Sequence, residues 1–410
     1  MSLAARVFVG LILGLSAGIA ISAMHNVPLT DAARWILPAG VVWLDALRMT
    51  VLPLVLSLLI TGTASAAQSA ASGRLATRAI VWFIALLIAG AALSALLMPV
   101  FLALWPVDPA AAAALKLSAA HDATAIPALP SLREWLLGLI PVNPFEAAAS
   151  GAVLPLVIFA LFFGFAAARI PPGPHAAVLG FFDGVAQTML VIVRWIFRFA
   201  PLGVFALALD VGLHGGLNAA GALGEYVVLM CVMSVVAAAM FYPLVAAFSS
   251  VRVLHFARAI VPVQIFGLTT QSSLACLPGM IEVSNNDLGL EPRASALLLP
   301  LAVALFRVTS PIVNLSIAQF VAHIYGIQVD LPHLLAGLAV AVITNFAVIG
   351  LPSQLTLFNS GVPIALAMGV PTSLLGILLA IEVVPDIFRT IGNVTGDLGV
   401  AAILGRPRRA

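Results

Sequence analysis

Charged side chains are scarce in this chain: 8% of its 410 residues are Asp, Glu, Lys or Arg, whereas 62% are hydrophobic and the mean hydropathy is +1.17. That balance excludes a sizeable soluble domain and reads as a polytopic membrane protein. Cysteine is nearly absent too. Cys231 and Cys276 each lie in an apolar stretch, which excludes a disulfide framework or a paired-cysteine metal site and leaves both as small buried hydrophobes. The histidines, among them His25, His121, His255 and His333, sit near presumed segment ends with no ligand spacing such as HExxH. The chain therefore does not read as a membrane-embedded enzyme. A net charge of +2, carried mostly by arginines near helix ends, reports topology and not a nucleic-acid partner.

What the chain does have is long apolar segments. Those at roughly 7–24, 36–66, 77–105, 132–168, 178–210 and 220–249 are each long enough to cross a bilayer. The first has no obvious cleavage site before His25 and reads as a retained helix. Arg6, Arg74, Arg78, Arg169, Arg252, Arg258, Arg293 and the tail Arg406, Arg408 and Arg409 fall at alternate connections, and Asp31, Asp108, Asp122, Asp210, Glu225 and Asp330 fall between them. By the positive-inside rule both termini are cytoplasmic and the number of full spans is even. Arg194 and Arg198, ending an amphipathic stretch, read as snorkelling side chains.

The pattern then breaks. Residues 254–290 are interrupted by Thr269, Thr270, Gln271, Ser272 and Ser273, by Pro278 and by the polar turn from Ser284 to Asp287, with arginines flanking both ends. Such a segment enters and leaves on one side, as a re-entrant hairpin. A long span follows at 293–326. A second interrupted stretch, 331–368, holds Asn345, Gly350, Pro352, Ser353, Gln354, Asn359, Ser360 and Pro363 and approaches from the outer side. Two broken segments in corresponding positions point to an inverted-repeat transporter with its site at the midplane. The alternative is a set of ordinary spans kinked by proline and glycine.

A helix over 371–404 closes the chain and carries Glu382, Asp386, Arg389, Thr390, Asn393 and Asp397. One ionisable group at the hydrocarbon centre costs about 2.5–3.5 kcal/mol on insertion scales, so a sequence that keeps several uses them. Asp386, Thr390, Asn393 and Asp397 recur at offsets 0, 4, 7 and 11, one stripe of a helix that must face protein or a water-filled cavity. An i,i+3 packing pair between Asp386 and Arg389 is the plainer alternative. Thr390 and Asn393 on the same stripe favour a binding site.

The stretches LRMTVLPLVLSLLITGTAS (47–65), IPVNPFEAAASGAVLPLVIFALFFGFA (140–166), FFDGV (181–185), FAPLGVFALA (199–208), SSLACLP (272–278), LLLPL (297–301), IGLP (349–352) and DIFRTIGNVTGDL (386–398) occur in that order over nearly the whole chain. In them the sequence resembles the dicarboxylate/amino acid:cation symporter family, which contains the glutamate transporters and neutral amino acid exchangers. The resemblance implies an all-α polytopic membrane protein of the bacterial cytoplasmic membrane. It would have eight transmembrane helices and two re-entrant helical hairpins, the elevator-type glutamate-transporter fold, assembled as a homotrimer. Residues 1–170 would form scaffold and trimerisation helices 1–4, helix 3 belonging partly to the transport domain, and 171–250 helices 5 and 6. The transport-domain core, 251–410, would comprise hairpin 1 (254–290), helix 7 (293–326), hairpin 2 (331–368) and helix 8 (371–404).

Carried over position by position, Arg389 matches the arginine that pairs with a substrate's side-chain carboxylate, a bidentate task suited to guanidinium. Asp386 matches the aspartate that holds the amino group, and Thr390 and Asn393 match further polar partners, Asn393 taking the α-carboxylate through its amide. Ser272 and Ser273 match the serine-rich tip of hairpin 1, and Gly350 and Pro352 the gating tip of hairpin 2. Glu382 stands where the family usually has an aspartate and reads as a partner of Arg389.

The sequence also departs from the family. Where helix 7 normally carries an Asn-Met-Asp-Gly-Thr sodium motif, this chain has Phe306, Arg307, Val308, Thr309 and Ser310. Phe83, Leu86 and Leu87 replace a tyrosine and a Thr-Ser pair in helix 3, and Ser353 and Gln354 replace glycines. A hard cation needs oxygen ligands, so only Asp397 and Asn393 remain as a residual cation site. Arg307 either substitutes for the lost ion beside Asp397 or Asp386, or reaches the substrate. A tethered arginine returns with the empty carrier and supplies no net drive, whereas importing a monoanion costs about 2.3 kcal/mol per 100 mV. The protein is therefore expected to be coupled to protons through a carboxylate such as Glu382, Asp386 or Asp397, or to be an exchanger or facilitator, with H+ or residual Na+ as the candidate coupling ion and no cofactor. Holding both Asp386 and Arg389 favours an acidic amino acid. A C4-dicarboxylate or other carboxylate is the alternative within the family. An anion-conducting channel and a transport-dead sensor are alternatives of other classes.

Overall fold

A computed structural model describes residues 3–24, 27–71, 73–118, 138, 140–150, 152–345 and 357–405. Gly350, Pro352, Ser353 and Gln354, and the arginines of the C-terminal tail, lie outside them. In an apolar solvent every backbone N–H and C=O must be satisfied within the chain, and the helix does so segment by segment. Among the described residues there is no strand. The helices are α1 (Leu3–Met24), α2 (Val27–Arg34), α3 (Leu37–Ala71), α4 (Arg74–Leu104), α5 (Pro109–Ser118), α6 (Pro144–Ala149), α7 (Val153–Ala167), α8 (Pro172–Arg198) and α9 (Ala200–Ala239). They continue with α10 (Phe241–Phe248), α11 (Val253–Thr270), α12 (Ser273–Asn286), α13 (Pro292–Leu305), α14 (Thr309–Tyr325), α15 (Leu331–Thr344), α16 (Val362–Ala367), α17 (Leu375–Ile381) and α18 (Val383–Leu404). Among the described residues, eight helical stretches are long and apolar enough to cross a membrane. The protein is an all-α polytopic membrane protein.

The first expected hairpin is present. α11 ends at Gln271, whose φ of 51° and ψ of 32° turn the chain in the left-handed region. Ser272 then caps α12, its Oγ accepting the Ala275 N–H at 3.3 Å. Phe256, Ile260 and Val263 of α11 meet Cys276 and Met280 of α12 and Val394 and Leu398 of α18 in one buried cluster. At the open end the His255 Nε2–H donates to the Asp287 carbonyl at 2.7 Å. In the second hairpin α15 is followed, beyond the undescribed residues, by a π-type turn at Leu357–Gly361 and by α16. Thr344 and Ser360 hydroxyls hydrogen-bond at 2.9 Å, and the Met368 side chain packs against Gly337 of α15.

Four expected segments are divided in the structure. The span expected over 293–326 is broken at residues 306–308, between α13 and α14. Pro311 is the cause: in a continuous helix its ring would strike the Arg307 carbonyl and its missing N–H would leave that carbonyl unbonded, whereas in the first turn of α14 it is tolerated. The helix expected over 371–404 is likewise divided at Glu382, between α17 and α18. Pro385 excludes the bond to Ile381, and the Glu382 N–H reaches instead to the Leu379 carbonyl, three residues back, at 3.3 Å. The segment expected at 178–210 is divided at Phe199 and the one at 220–249 at Met240, whereas the kink at Gly216 falls in the connection expected between them. Pro201 fits the first turn of α9, and Gly216 takes φ +56° and ψ −144°, a conformation that glycine adopts at least cost.

α1 lies directly on α9. A Cβ added at Gly10, Gly14 or Gly18 would run into the carbonyl oxygens of Pro201, Phe205 and Leu209 respectively. In lipid, where apolar surface gives little driving force between helices, small residues at four-residue spacing allow the close approach that dispersion needs.

Candidate functional site

Helix α18 turns its polar stripe inward: Asp386, Arg389, Thr390, Asn393 and Asp397 are all buried. Both terminal nitrogens of Arg389 are engaged. Its Nη1 bonds Glu382 Oε1 at 2.5 Å and its Nη2 donates to Asn314 Oδ1 of α14. Glu382, with no exposed surface, also accepts the Tyr226 hydroxyl of α9 on Oε2 at 2.7 Å. The expected pairing of Glu382 with Arg389 is therefore present, whereas the i,i+3 partnership with Asp386 is not the one Arg389 makes. Seven residues of helix rise about 10.5 Å, so Arg389 lies back along two turns to reach the kink at Glu382. A buried pair repays its desolvation only when the remaining donors and acceptors are also satisfied, and Tyr226 and Asn314 supply those contacts.

The break in the seventh span is held from both sides by asparagines. Asn393 Oδ1 accepts the Thr309 N–H at 3.1 Å and the Thr309 hydroxyl at 2.9 Å, acting from α18 as the cap that α14 lacks. Asn345 Nδ2 donates to the Leu305 carbonyl at 2.8 Å, satisfying the other broken end. The opened backbone at 306–308 is thus tolerated at depth because side chains replace its lost partners. With its oxygen committed twice, Asn393 is a weak cation ligand. Its Nδ2, unpartnered among the described residues, is left as a donor.

Arg307 lies half-buried on that opened segment and interacts electrostatically with Asp386, Asp397 and Arg389. Asp397 is 1% exposed, and neither of its oxygens has a hydrogen-bond partner among the described residues. A carboxylate so placed needs a positive partner, whether a proton, a cation or a guanidinium. Three carboxylates, Glu382, Asp386 and Asp397, face two guanidiniums, Arg307 and Arg389, so the fully ionised cluster carries a formal charge of −1.

Hairpin 1 closes on the same stripe. A Cβ on Gly267, in the last turn of α11, would lie 3.4 Å from Thr390 Cγ2, which brings the turn beside Thr390. Ser273, 8% exposed, has a hydroxyl without a partner among the described residues, and it opens α12 next to the half-buried Ser272. A helix N-terminus with a spare hydroxyl suits a carboxylate. Thr390 spends its own hydroxyl proton on the Asp386 carbonyl at 3.0 Å. Gly350 and Pro352 fall outside the described residues. Tyr226 and Asn314 escape sequence reasoning, although Asn314 carries a signal that could have found it, as an amide within a span of mean hydropathy 2.0.

Residues 3–406 match the sequence model of the Sodium:dicarboxylate symporter family. The chain belongs to that family. It is 26% identical to a proton/sodium-glutamate symport protein of Geobacillus stearothermophilus over 99% of its own length and 94% of that protein's. It is 24% identical to the proton/glutamate-aspartate symporter of Escherichia coli (strain K12), covering 99% of this chain and 92% of that protein. A C4-dicarboxylate transport protein of Azorhizobium caulinodans is 24% identical over 92% of this chain and 83% of that one. As a member of a family of symporters this protein is a secondary transporter, and its many apolar helices make it a multi-pass membrane protein.

At positions that the resemblance assigns to sodium ligands, the side chains are aromatic and aliphatic. The Phe83 and Phe306 rings stack with centroids 4.8 Å apart, and Phe241 meets Phe306 edge-on at 6.1 Å. Leu86 and Leu87 are buried beside them in the core. These side chains offer no oxygen to a hard cation.

Proposed function

We propose that this symporter carries an acidic amino acid across the membrane with little or no sodium dependence, coupled to protons or working as an exchanger. The observation that carries the reading is the buried stripe in which Arg389 and Asp386 lie one turn apart beside the tip of hairpin 1. In it Arg389 suits the side-chain carboxylate, Asp386 the amino group, and Asn393 Nδ2 with Ser272 and Ser273 the α-carboxylate. Glu382 and the incoming carboxylate would compete for the same guanidinium. A proton on Glu382 releases Arg389 to the substrate, and its loss returns Arg389 to Glu382; this couples occupancy to protonation. The formal charge of the cluster supports the same direction, since adding a monoanion to a site already at −1 favours uptake of a positive charge with it. The relatives named for proton-linked glutamate and aspartate symport support the substrate class. The movement would be an elevator stroke of 251–410 against the remaining helices in a homotrimer, with both termini cytoplasmic.

A second reading, a C4-dicarboxylate, is favoured by the attraction between Arg307 and Asp386, which would leave Asp386 unavailable to an amino group and offer two guanidiniums to a dianion. Uptake of radiolabelled aspartate, glutamate and succinate into proteoliposomes with imposed proton or sodium gradients tests both. The acidic amino acid reading expects saturable, trans-stimulated aspartate or glutamate flux that choline substitution for sodium leaves unchanged and that Arg389→Ala removes. Preference for succinate supports the second reading. Dependence on several sodium ions, non-saturable conduction, or binding without uptake overturns the first.

A further inference from the structure

Three helix ends meet at one edge of the bundle: α4 begins at Arg74, α13 begins at Pro292 and α18 ends at Leu404. Between them lies a cavity of about 650 Å³ whose lining includes Arg74 and Arg78 from α4 and Arg293 from α13, with Glu291 its one acidic group among the described residues. All three guanidinium side chains are exposed, and among the described residues no ion pair joins any of them. This arrangement is electrostatically unfavourable by itself. Arg74 and Arg78 stand at i,i+4, where like charges repel, and Arg74 and Arg293 lie in the first turns of their helices, where the macrodipole already presents positive charge. Neither α4 nor α13 has a side-chain cap at that end. An arginine that only sets topology could point anywhere in the interface, whereas these three, from two helices, line one hollow.

The rest of the lining is apolar. Leu297, 41% exposed, faces this edge, and Leu404 closes the cavity from α18. The helix ends lie where a span meets the headgroups, and basic pockets between spans at that level take anionic lipid heads. We propose that this cavity binds an anionic phospholipid, its phosphate between Arg74, Arg78 and Arg293 and the start of an acyl chain along Leu297. Guanidinium forks suit phosphate oxygens, the two uncapped N-termini add N–H donors, and the leucine wall distinguishes a lipid from a free anion.

Native mass spectrometry of the purified protein with phosphatidylglycerol or phosphatidylcholine, beside melting curves with each lipid and with inorganic phosphate, tests the site. Phosphatidylglycerol should be retained at least tenfold better than phosphatidylcholine and should raise Tm. Arg74→Gln/Arg78→Gln/Arg293→Gln should abolish both effects, whereas Arg194→Gln/Arg198→Gln should leave them intact. Should the triple variant fail to fold, Arg293→Gln alone should weaken retention, and Glu291→Gln, which removes the competing anion, should strengthen it. The proposal fails if the Arg74/Arg78/Arg293 variants retain the lipid as the wild type does, if the control variant loses it equally, or if Glu291→Gln weakens retention. It also fails if inorganic phosphate stabilises the protein as well as the lipid does.

Discussion

The ring of Phe83 on α4 lies nearly parallel to that of Phe306 at the break between α13 and α14, with 4.8 Å between centroids and 13° between planes. Both side chains are fully buried. An offset aromatic pair is worth about 0.5–1.5 kcal/mol beyond its area, and truncating a buried Phe to Ala costs about 3–5 kcal/mol. Phe83→Ala and Phe306→Ala should each lower Tm, and the double variant should lose less than the two losses added, a coupling that melting curves of the four proteins measure. On the proposed loss of sodium dependence, the wild-type Tm should be the same in sodium chloride and in choline chloride at equal ionic strength. A rise specific to sodium would contradict the assignment.

Glu382 gives the second test. Removing one partner of a buried ion pair costs about 3–5 kcal/mol, mostly because the other charge is left uncompensated. Glu382→Gln keeps the shape but strips the countercharge from Arg389, so the ligand-free protein should melt lower. Tyr226→Phe removes one hydrogen bond to a charged acceptor, worth about 1.5–3 kcal/mol, and should destabilise less. A bound acidic substrate restores a countercharge to Arg389, so the Tm rise produced by saturating aspartate should be larger in Glu382→Gln than in the wild type. An equal or smaller rise would mean that Glu382 and substrate do not compete for Arg389.

The fold class, the first hairpin and the buried stripe on α18 were legible in the sequence because each leaves a local signal. Hydropathy marks a span, the polar run from Thr269 to Ser273 marks a reversal, and the four-and-three spacing from Asp386 to Asp397 fixes one face. The breaks were harder to read, since a hydropathy window averages over Pro311 and Pro385, while each acts on a single carbonyl four residues back. The partners of Arg389 were only half legible. Glu382 is near in sequence and could be anticipated, whereas Asn314 reaches Arg389 across 75 residues and Tyr226 reaches Glu382 across 156. No periodicity encodes such a contact. The basic cavity was hidden for a related reason: Arg74, Arg78 and Arg293 each read as an ordinary flanking arginine until the fold brings α4 and α13 together.

Asn345 supplies a third prediction, separating support of the broken span from ligand binding. Its Nδ2 satisfies the Leu305 carbonyl, and both residues are buried. Asn345→Leu leaves that carbonyl without its donor, a penalty of about 1–3 kcal/mol. Asn345→Asp turns an acceptor toward an acceptor and should cost more than Leu. Melting curves should rank wild type, then Leu, then Asp. A variant with Leu as stable as the wild type would mean that the broken end finds another donor.

The packing of α1 on α9 can be tested far from the charged cluster. Gly14 stands where a Cβ would overlap the Phe205 carbonyl oxygen and crowd Ala208 and Leu209. The obstacle is backbone on both helices, so no rotamer change relieves it, and the helices must separate along their whole contact. Gly14→Leu should therefore cost more than the roughly 1–3 kcal/mol typical of overpacking, with Gly14→Ala intermediate. Gly173, with nothing within 4 Å of an added Cβ, should accept Ala without loss. Comparing the melting temperatures of Gly14→Ala, Gly14→Leu and Gly173→Ala checks the ranking. Equal stability of the two alanine variants would show that the close approach of α1 to α9 contributes nothing to the fold.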